Sequence, residues 1–408
     1  MTVVGASSIP SRGVRKGQIV NIEEATQTVI QSVEAAERMA GISVNRLYVN
    51  ISSHDIVSQN SQGVVAIANP EGEIIPDDVI RVVEAAQAIS MPSGQEVIHV
   101  LPMSFVVDSQ AGIRDPVGMS GVRLEVSTHI ITASLTLARN IGKIVNEIGA
   151  HLEQLVYSGL ASSYSVLTET EKELGVVMVD IGGGTTDIAI YTEGSLAYSA
   201  VLPVGAKNVT NDLAIGLRVS LESAEKIKLF LSNLPPEPAL PKIDKSMDPK
   251  KARAARKKQE LIDFSSLELK EELSTIARRT LLDGIIGPRL YEIFDLVGDH
   301  IQKSGLSHVV PSGLVICGGG AETVGSLEAA RKSLRVPVRI GEPKGVSGLI
   351  DDISSPSYAT TIGMILYALE NEMEEESGFK VPFSAKGAPA AMGGLVGKLA
   401  DVIKSLLP

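Results

Sequence analysis

At 408 residues the chain exceeds one simple core and suggests roughly two to four compact units. It is 44% hydrophobic and 21% charged, an ordinary globular balance, and its formal net charge of −11 argues against bulk nucleic-acid binding. Aromatics are only 3% with no Trp, which removes stacking platforms for single strands, and the single cysteine, Cys317, excludes a disulfide framework or a multi-cysteine metal site. No window approaches the ~20 consecutive apolar residues that span a bilayer, and the first residues lack the cationic-then-apolar order of a secretory signal. Any membrane contact is expected to be peripheral.

The elements alternate along the chain. Thr2–Ala6 reads as a short strand and Ile22–Ala40 as a helix; Leu47–Ile51 and Val64–Ala68 read as strands. Pro76–Ser90 is an amphipathic helix with Asp77 and Asp78 at its positive end. Glu96–Val107 and Val122–Val126 are strand-like, Ser134–Gly149 is helical, and a loop rich in Ser, Ala and Thr leads to two β-runs over Gly175–Tyr191. The stretch 232–258 is first Pro-rich and then basic, and reads as a solvated insertion. Helical patterning runs from Leu267 to Lys303 with an interruption at Gly287–Pro288. Strand and glycine signals return at Gly313–Gly320, and a last long helix covers about Pro356–Glu375. The mixture predicts an α/β protein.

The chemistry concentrates in Val176–Tyr191, VVMVDIGGGTTDIAIY. A buried strand delivers Asp180 to a turn of Gly182, Gly183 and Gly184, followed by Thr185, Thr186 and Asp187 and a second strand. Three glycines let the backbone approach phosphates with its N–H groups. Asp180 and Asp187 suit a magnesium ion held through water, with the threonine hydroxyls beside them. The strand–turn–strand context differs from a Walker A loop or a dinucleotide fingerprint, both of which open a helix.

The DIGGGTTD string resembles the second phosphate motif of the actin, sugar kinase and heat-shock chaperone superfamily. Its continuation, Tyr191–Lys228, is similar to the FtsA family over its whole length. Pro10–Ala25, Leu160–Gly175, Arg335–Pro343 and Ser357–Glu370 carry the likeness across nearly the whole chain. The resemblance implies an actin-like ATPase fold of two α/β domains around an ATP–Mg cleft, with at most slow hydrolysis. Glu225 and Lys228, i and i+3 on one helix face, match the pair that embraces ribose and base, although a surface ion pair has the same spacing. Gly318, Gly319 and Gly320, in SGLVICGGG, match the turn on which adenine lies, with Cys317 a small core residue beside it.

The family opens with a hairpin carrying a first, Asp-Ile-Gly-Thr-like phosphate motif. This sequence starts after that point, so the first domain's sheet is expected to lack two strands and the nucleotide one of its two phosphate clamps; a start codon assigned too late is favoured over a diverged form. Ile51 to about Ile148 corresponds to the inserted subdomain tied to self-assembly and to later division proteins. Pro288–Ile301 matches the region that docks the C-terminal peptide of FtsZ, where Arg289 and Glu292, i and i+3 neighbours, are candidates to face the peptide, although a solvated ion pair has the same spacing. The expected division is a first domain in 1–53, 149–175 and 356–376, with the inserted subdomain at 54–148. A second domain occupies 176–215 and 311–355, with a largely helical subdomain at 216–310.

At the C-terminus a Gly/Ala/Pro/Ser linker, 377–394, precedes a short helix. At 100° per residue Leu395, Val396, Leu399, Ala400, Val402, Ile403, Leu406 and Leu407 share one face, opposite Lys398, Asp401, Lys404 and Ser405. Such a helix can lie in the interface of an anionic membrane, its weak single-copy affinity raised by polymerisation. The expected protein is therefore a scaffold at the cytoplasmic side of the cell membrane, at the division septum, with FtsZ and itself as partners and no nucleic acid. The alternatives are a PilM-like pilus assembly adaptor, which predicts no functional lipid-binding tail, and a small-molecule kinase, which predicts acceptor-dependent turnover.

Overall fold

The computed structural model describes residues 2–69, 72–88, 93–234, 261–348 and 353–376. β1 (Thr2–Val3) begins the chain. β2 (Val14–Arg15) and β3 (Gln18–Ile19) form a hairpin whose turn residues, Lys16 and Gly17, both have positive φ, the geometry that matches strand twist. α1 (Ile22–Ala40) forms as the sequence predicts. Asn21 accepts from Glu24 N, Glu23 and Glu24 sit in the first turn, and Gly41 closes the helix at φ 71°. β4 (Arg46–Ile51) follows.

β5 (Val57–Ala66), α2 (Pro76–Gln87), β6 (Gln95–Val107), β7 (Gln110–Ile113) and β8 (Arg123–Ser134) build an antiparallel sheet in the order β5-β8-β6-β7. Val79, Val82, Val83 and Ala86 of α2 pack on Val100, Phe105, Leu124, Val126 and Ile130. The helix crosses so closely that a Cβ at Gly63 would lie 2.1 Å from Val82 O. β5 and β8 are longer than their apolar runs suggested, pairing from Val57↔Thr132 to Ala66↔Arg123. The polar stretch Ser58–Gln62 hides this, because part of it hydrogen-bonds a neighbouring sheet instead of entering an apolar core.

α3 (Leu135–Glu147), β9 (His151–Tyr157), α4 (Ser158–Val166) and α5 (Glu169–Leu174) come next, with β9 parallel to β4. The loop expected between Gly149 and Gly175 is thus a strand and two helices. Its serines misled: Ser163 and Ser165 bond to Gly159 O and Ser162 O inside a buried α4, a substitute for solvent that helix interiors tolerate.

β10 (Val176–Ile181), β11 (Thr186–Thr192) and β12 (Ser195–Leu202) lead to α6 (Ala206–Leu217) and α7 (Leu221–Ser232). β13 (Leu261–Asp263) and β14 (Thr275–Ala277) form a small hairpin, so the helical pattern expected from Leu267 begins only at α8 (Arg278–Leu281). A π-turn, Leu282–Ile286, joins α8 to α9 (Gly287–Lys303), and Gly287 N–H reaches Leu282 O. Gly287–Pro288 therefore widens the helix instead of breaking it, which satisfies the backbone around a residue lacking an N–H. β15 (Leu314–Cys317), α10 (Ser326–Leu334), β16 (Val338–Ile340), β17 (Ser347–Gly348) and α11 (Ala359–Glu376) complete the described chain; β17 pairs with β1.

The central sheet runs β12-β11-β10-β15-β16, with β10, β15 and β16 mutually parallel. One face packs on Leu213, Ile227, Leu290, Ile293 and Phe294 from α6, α7 and α9. The other packs on Leu160, Ala161, Ala359 and Met364 from α4 and α11. Those two helices nearly touch: a Cβ at Gly363 would lie 1.8 Å from Ala161 O. Among the described residues no helix is long and apolar enough to cross a membrane.

Candidate functional site

β10 and β15 lie side by side in parallel, Asp180 in register with Cys317. Their two glycine turns therefore leave the same carboxyl edge of the sheet, where open α/β sheets bind ligands. Gly182 N–H closes the first turn on Thr185 O at 2.9 Å. Gly183 is exposed and a Cβ there would meet nothing within 4 Å. Gly184 lies under the β2–β3 turn, where a Cβ would come 3.2 Å from Lys16 N. Ala206 N and Lys207 N, at the start of α6, donate to Gly182 O and Gly183 O. The turn is thus held from both sides with Gly183 open at its crest.

Asp180 and Asp187 are opposite residues of the β10–β11 ladder, 5% and 3% exposed. Asp180 Oδ2 accepts from Ser162 Oγ and from Thr360 Oγ1 at 2.7 Å. Ser52 Oγ lies 2.7 Å from both Asp187 Oδ2 and Thr185 Oγ1, while Asp187 Oδ1 is buried without a partner. Burial raises both carboxyls above the ordinary aspartate range, and the charge of Asp180 pushes Asp187 further. Two carboxylates and an orphaned oxygen, with no basic side chain among the described residues bonded to either, fit a divalent cation. Among the described residues no third His, Cys, Asp or Glu joins them, so phosphate and water oxygens would complete a magnesium shell. The Thr186 hydroxyl is already committed, donating to Val204 O at 2.8 Å.

Glu225 and Lys228 are joined at 2.8 Å, and Thr210 of α6 bonds to both, at 2.5 Å to Glu225 and 3.0 Å from Lys228 Nζ. The lysine is buried and the glutamate half-exposed, so the pair also fixes α7 against α6. Gly318 and Gly320 are required by packing alone. Cβ atoms there would lie 2.2 Å from Asp180 Oδ1 and 2.3 Å from Ile181 Cγ2, whereas Gly319 is freer. Cys317 is fully buried against Met178, and burial lifts its thiol well above the usual range.

Arg289 turns first to α6, meeting Asp212 through Nε at 2.6 Å and Nη2 at 3.1 Å, and then to Glu292. The positively charged form of Arg289 is favoured by that Asp212 fork. Leu395, Val396, Leu399, Val402, Ile403, Leu406 and Leu407, with the linker and most of the 232–258 insertion, lie outside the described residues. The sequence reading missed Ser52, Ser162 and Thr360. Ser52 follows β4, Ser162 sits in the middle of α4 and Thr360 is in the first turn of α11; all three reach the carboxylates, a placement with no spacing signal because they come from distant segments.

In three dimensions the chain is similar to one from a PilM-PilN type IV pilus biogenesis complex, with a TM-score of 0.59 over 88% of this chain and 89% of that one. Identity is 14%, so the likeness is one of fold, and it places this protein among those with the actin-like ATPase fold. An SHS2 domain of the kind inserted in FtsA matches residues 53–132, and the description "Cell division protein FtsA" matches 177–363. The cell division protein FtsA of Pseudomonas aeruginosa is 39% identical over 374 residues, covering 92% of this chain and 85% of that protein. That of Escherichia coli K12 is 35% identical over 384 residues, covering 92% and 86%. The chain belongs to the FtsA family.

Proposed function

We propose that this protein is an ATP-responsive scaffold of cell division that ties FtsZ filaments to the cytoplasmic face of the cell membrane at the septum and recruits later division proteins. The observation that carries the nucleotide part is the buried Asp180–Asp187 pair beside an open glycine crest. Gly182–Gly184 and Thr185 would receive phosphate, and Asp180 and Asp187 would hold magnesium through water. Gly318–Gly320 would face adenine, with Glu225 and Lys228 at the nucleoside. Bound magnesium would offset part of the negative charge that the phosphates and the two carboxylates bring together. Cleft closure on ATP would bias self-association, since contacts made only in the closed state shift that equilibrium.

Arg289 and Glu292 are proposed to meet the FtsZ peptide, the arginine preset by Asp212. The face of Leu395 to Leu407 is proposed to enter the membrane interface. The pilus-adaptor reading rests on fold likeness alone, whereas 39% identity supports the division reading. The testing experiment is co-sedimentation with anionic vesicles, comparing the full chain with one ending at Gly394, with and without FtsZ and ATP–Mg. The full chain should pellet and carry FtsZ down, and the shortened chain should stay in the supernatant. Equal behaviour without vesicle binding would move the assignment to the pilus-type adaptor.

A further inference from the structure

Strand β12 is the outer strand of the central sheet and joins two features that are far apart in sequence. Its start is gripped by the inserted subdomain at every second residue. Ser195 Oγ donates to Met103 O at 2.9 Å, Ala197 O accepts from Asn60 Nδ2 at 3.2 Å, and Ser199 O accepts from Ser58 Oγ at 2.7 Å. Ser199 Oγ also lies 2.9 Å from His129 Nε2, whose Nδ1 is 2.6 Å from Asn60 Oδ1. Residues of three strands of the inserted sheet, β5, β6 and β8, thus cap one edge that would otherwise present unpaired backbone. His129 and Ser199 are both buried, so the bonds form away from water, where breaking one leaves an unmet polar group.

The other end of β12 is built into the phosphate turn. Leu202 is opposite Thr186 and Val201 opposite Asp187. Two residues further, Val204 O accepts from the Thr186 hydroxyl, and beyond Gly205 the N–H groups of Ala206 and Lys207 donate to Gly182 O and Gly183 O. A Cβ at Gly205 would lie 2.5 Å from Gly182 O, so no slack separates strand from turn. Coupling between separated sites is carried by hydrogen-bonded and packed elements of this kind.

We propose that β12 is the element through which occupancy of the phosphate turn is communicated to the inserted subdomain, with Ser58, Asn60 and His129 as the receiving contacts. Filling the turn fixes Gly182–Thr186 and the Val204–Ala206 segment, and hence tightens the register of Ser195–Ser199 in its clasp. The inference rests on the reading of that turn as a phosphate site, and its test separates the two.

Amide hydrogen exchange of the full chain is measured with and without ATP–Mg, while calorimetry reports ATP binding independently. Exchange of peptides covering β5 and β8 should slow by about fivefold or more on saturation, with α10 as an unaffected reference. The Ser58→Ala/Asn60→Ala variant should bind ATP and lose that slowing. A Thr186→Val variant carries the test without nucleotide: loss of the bond to Val204 O should speed exchange in β5 and β8 by about fivefold or more while α10 holds. Absence of a calorimetric signal would count against the phosphate site, and Thr186→Val alone would then decide the coupling. Unchanged β5 and β8 exchange in Thr186→Val, or in a chain shown to bind ATP, overturns the proposal.

Discussion

Asp180 and Asp187 face each other across one ladder position, both buried, and among the described residues the side chains that hydrogen-bond their carboxylates do so through hydroxyls. A fold optimised for stability alone would not place two acids there, because burying like charges without a cation is costly. The arrangement is what supports the proposed magnesium and phosphate position.

Asp187→Asn should therefore stabilise the ligand-free protein while weakening ATP–Mg binding. Removing one of two buried charges is worth about 1–3 kcal/mol. Thermal denaturation with and without ATP–Mg checks it: the free protein should melt higher and the ligand-induced rise should shrink. A lower melting temperature in the free variant would show that the carboxylate is a net structural asset.

The glycines of the two turns should separate cleanly. Gly318 has φ 77° and no room for a Cβ beside Asp180, so Gly318→Ala should cost about 3 kcal/mol or more in a denaturant titration. Gly183→Ala meets open space and should shift stability by less than about 0.5 kcal/mol, while lowering ATP affinity about tenfold by holding the phosphate away. Equal loss of stability in both variants would contradict this division of roles.

His99 and His129 make the inserted sheet acid-sensitive. His99 Nε2 accepts from Tyr157 N at 3.0 Å, and burial, helped by His129, depresses its pKa to about 3. Burial alone depresses His129 to about 4. Both are neutral in the folded state, whereas the unfolded chain takes up their protons near pH 6.5. Stability is then complete above that value and falls as pH drops from 6.5 towards 4, by about 2 kcal/mol per histidine at pH 5. Urea midpoints at pH 7 and pH 5 measure it, and His129→Gln should flatten part of the slope.

Arg339 of β16 grips Glu171 of α5 with Nε and Nη2, each at 2.7 Å, and Nη2 also donates to Val166 O. Burial works against the charge of Glu171, but the guanidinium and the Thr168 cap hold its pKa at about 2. Arg339→Ala should cost about 1 kcal/mol after allowance for the partly exposed guanidinium. Arg339→Lys should recover little of it, because a lysine cannot reproduce the fork. Full recovery by lysine in the same titration would mean that charge alone matters.

The glycine turn, its flanking strands and the long helices were legible in the sequence, because each is a local matter. Three glycines between two apolar runs have few other uses, and Asn21, Glu24 and Gly41 mark the ends of α1 where they stand. The serine-rich α4 and the polar half of β5 were not legible. Their hydrogen-bond partners belong to the helix interior and to β12, and no periodicity in the segments themselves records them.

The sequence by itself determined the α/β class, the strand–glycine turn–strand and the kinship with FtsA, since these rest on residue types at fixed short spacings. Only the tertiary structure decided that Ser52, Ser162 and Thr360 surround the two aspartates, that Gly318 is bare because Asp180 needs its space, and that Arg289 is held by Asp212. Those relationships join residues 18 to 180 positions apart, Ser162 with Asp180 at the short end and Thr360 with Asp180 at the long one. Chain closure over such distances is fixed by the packing of whole elements and leaves no local trace in the sequence.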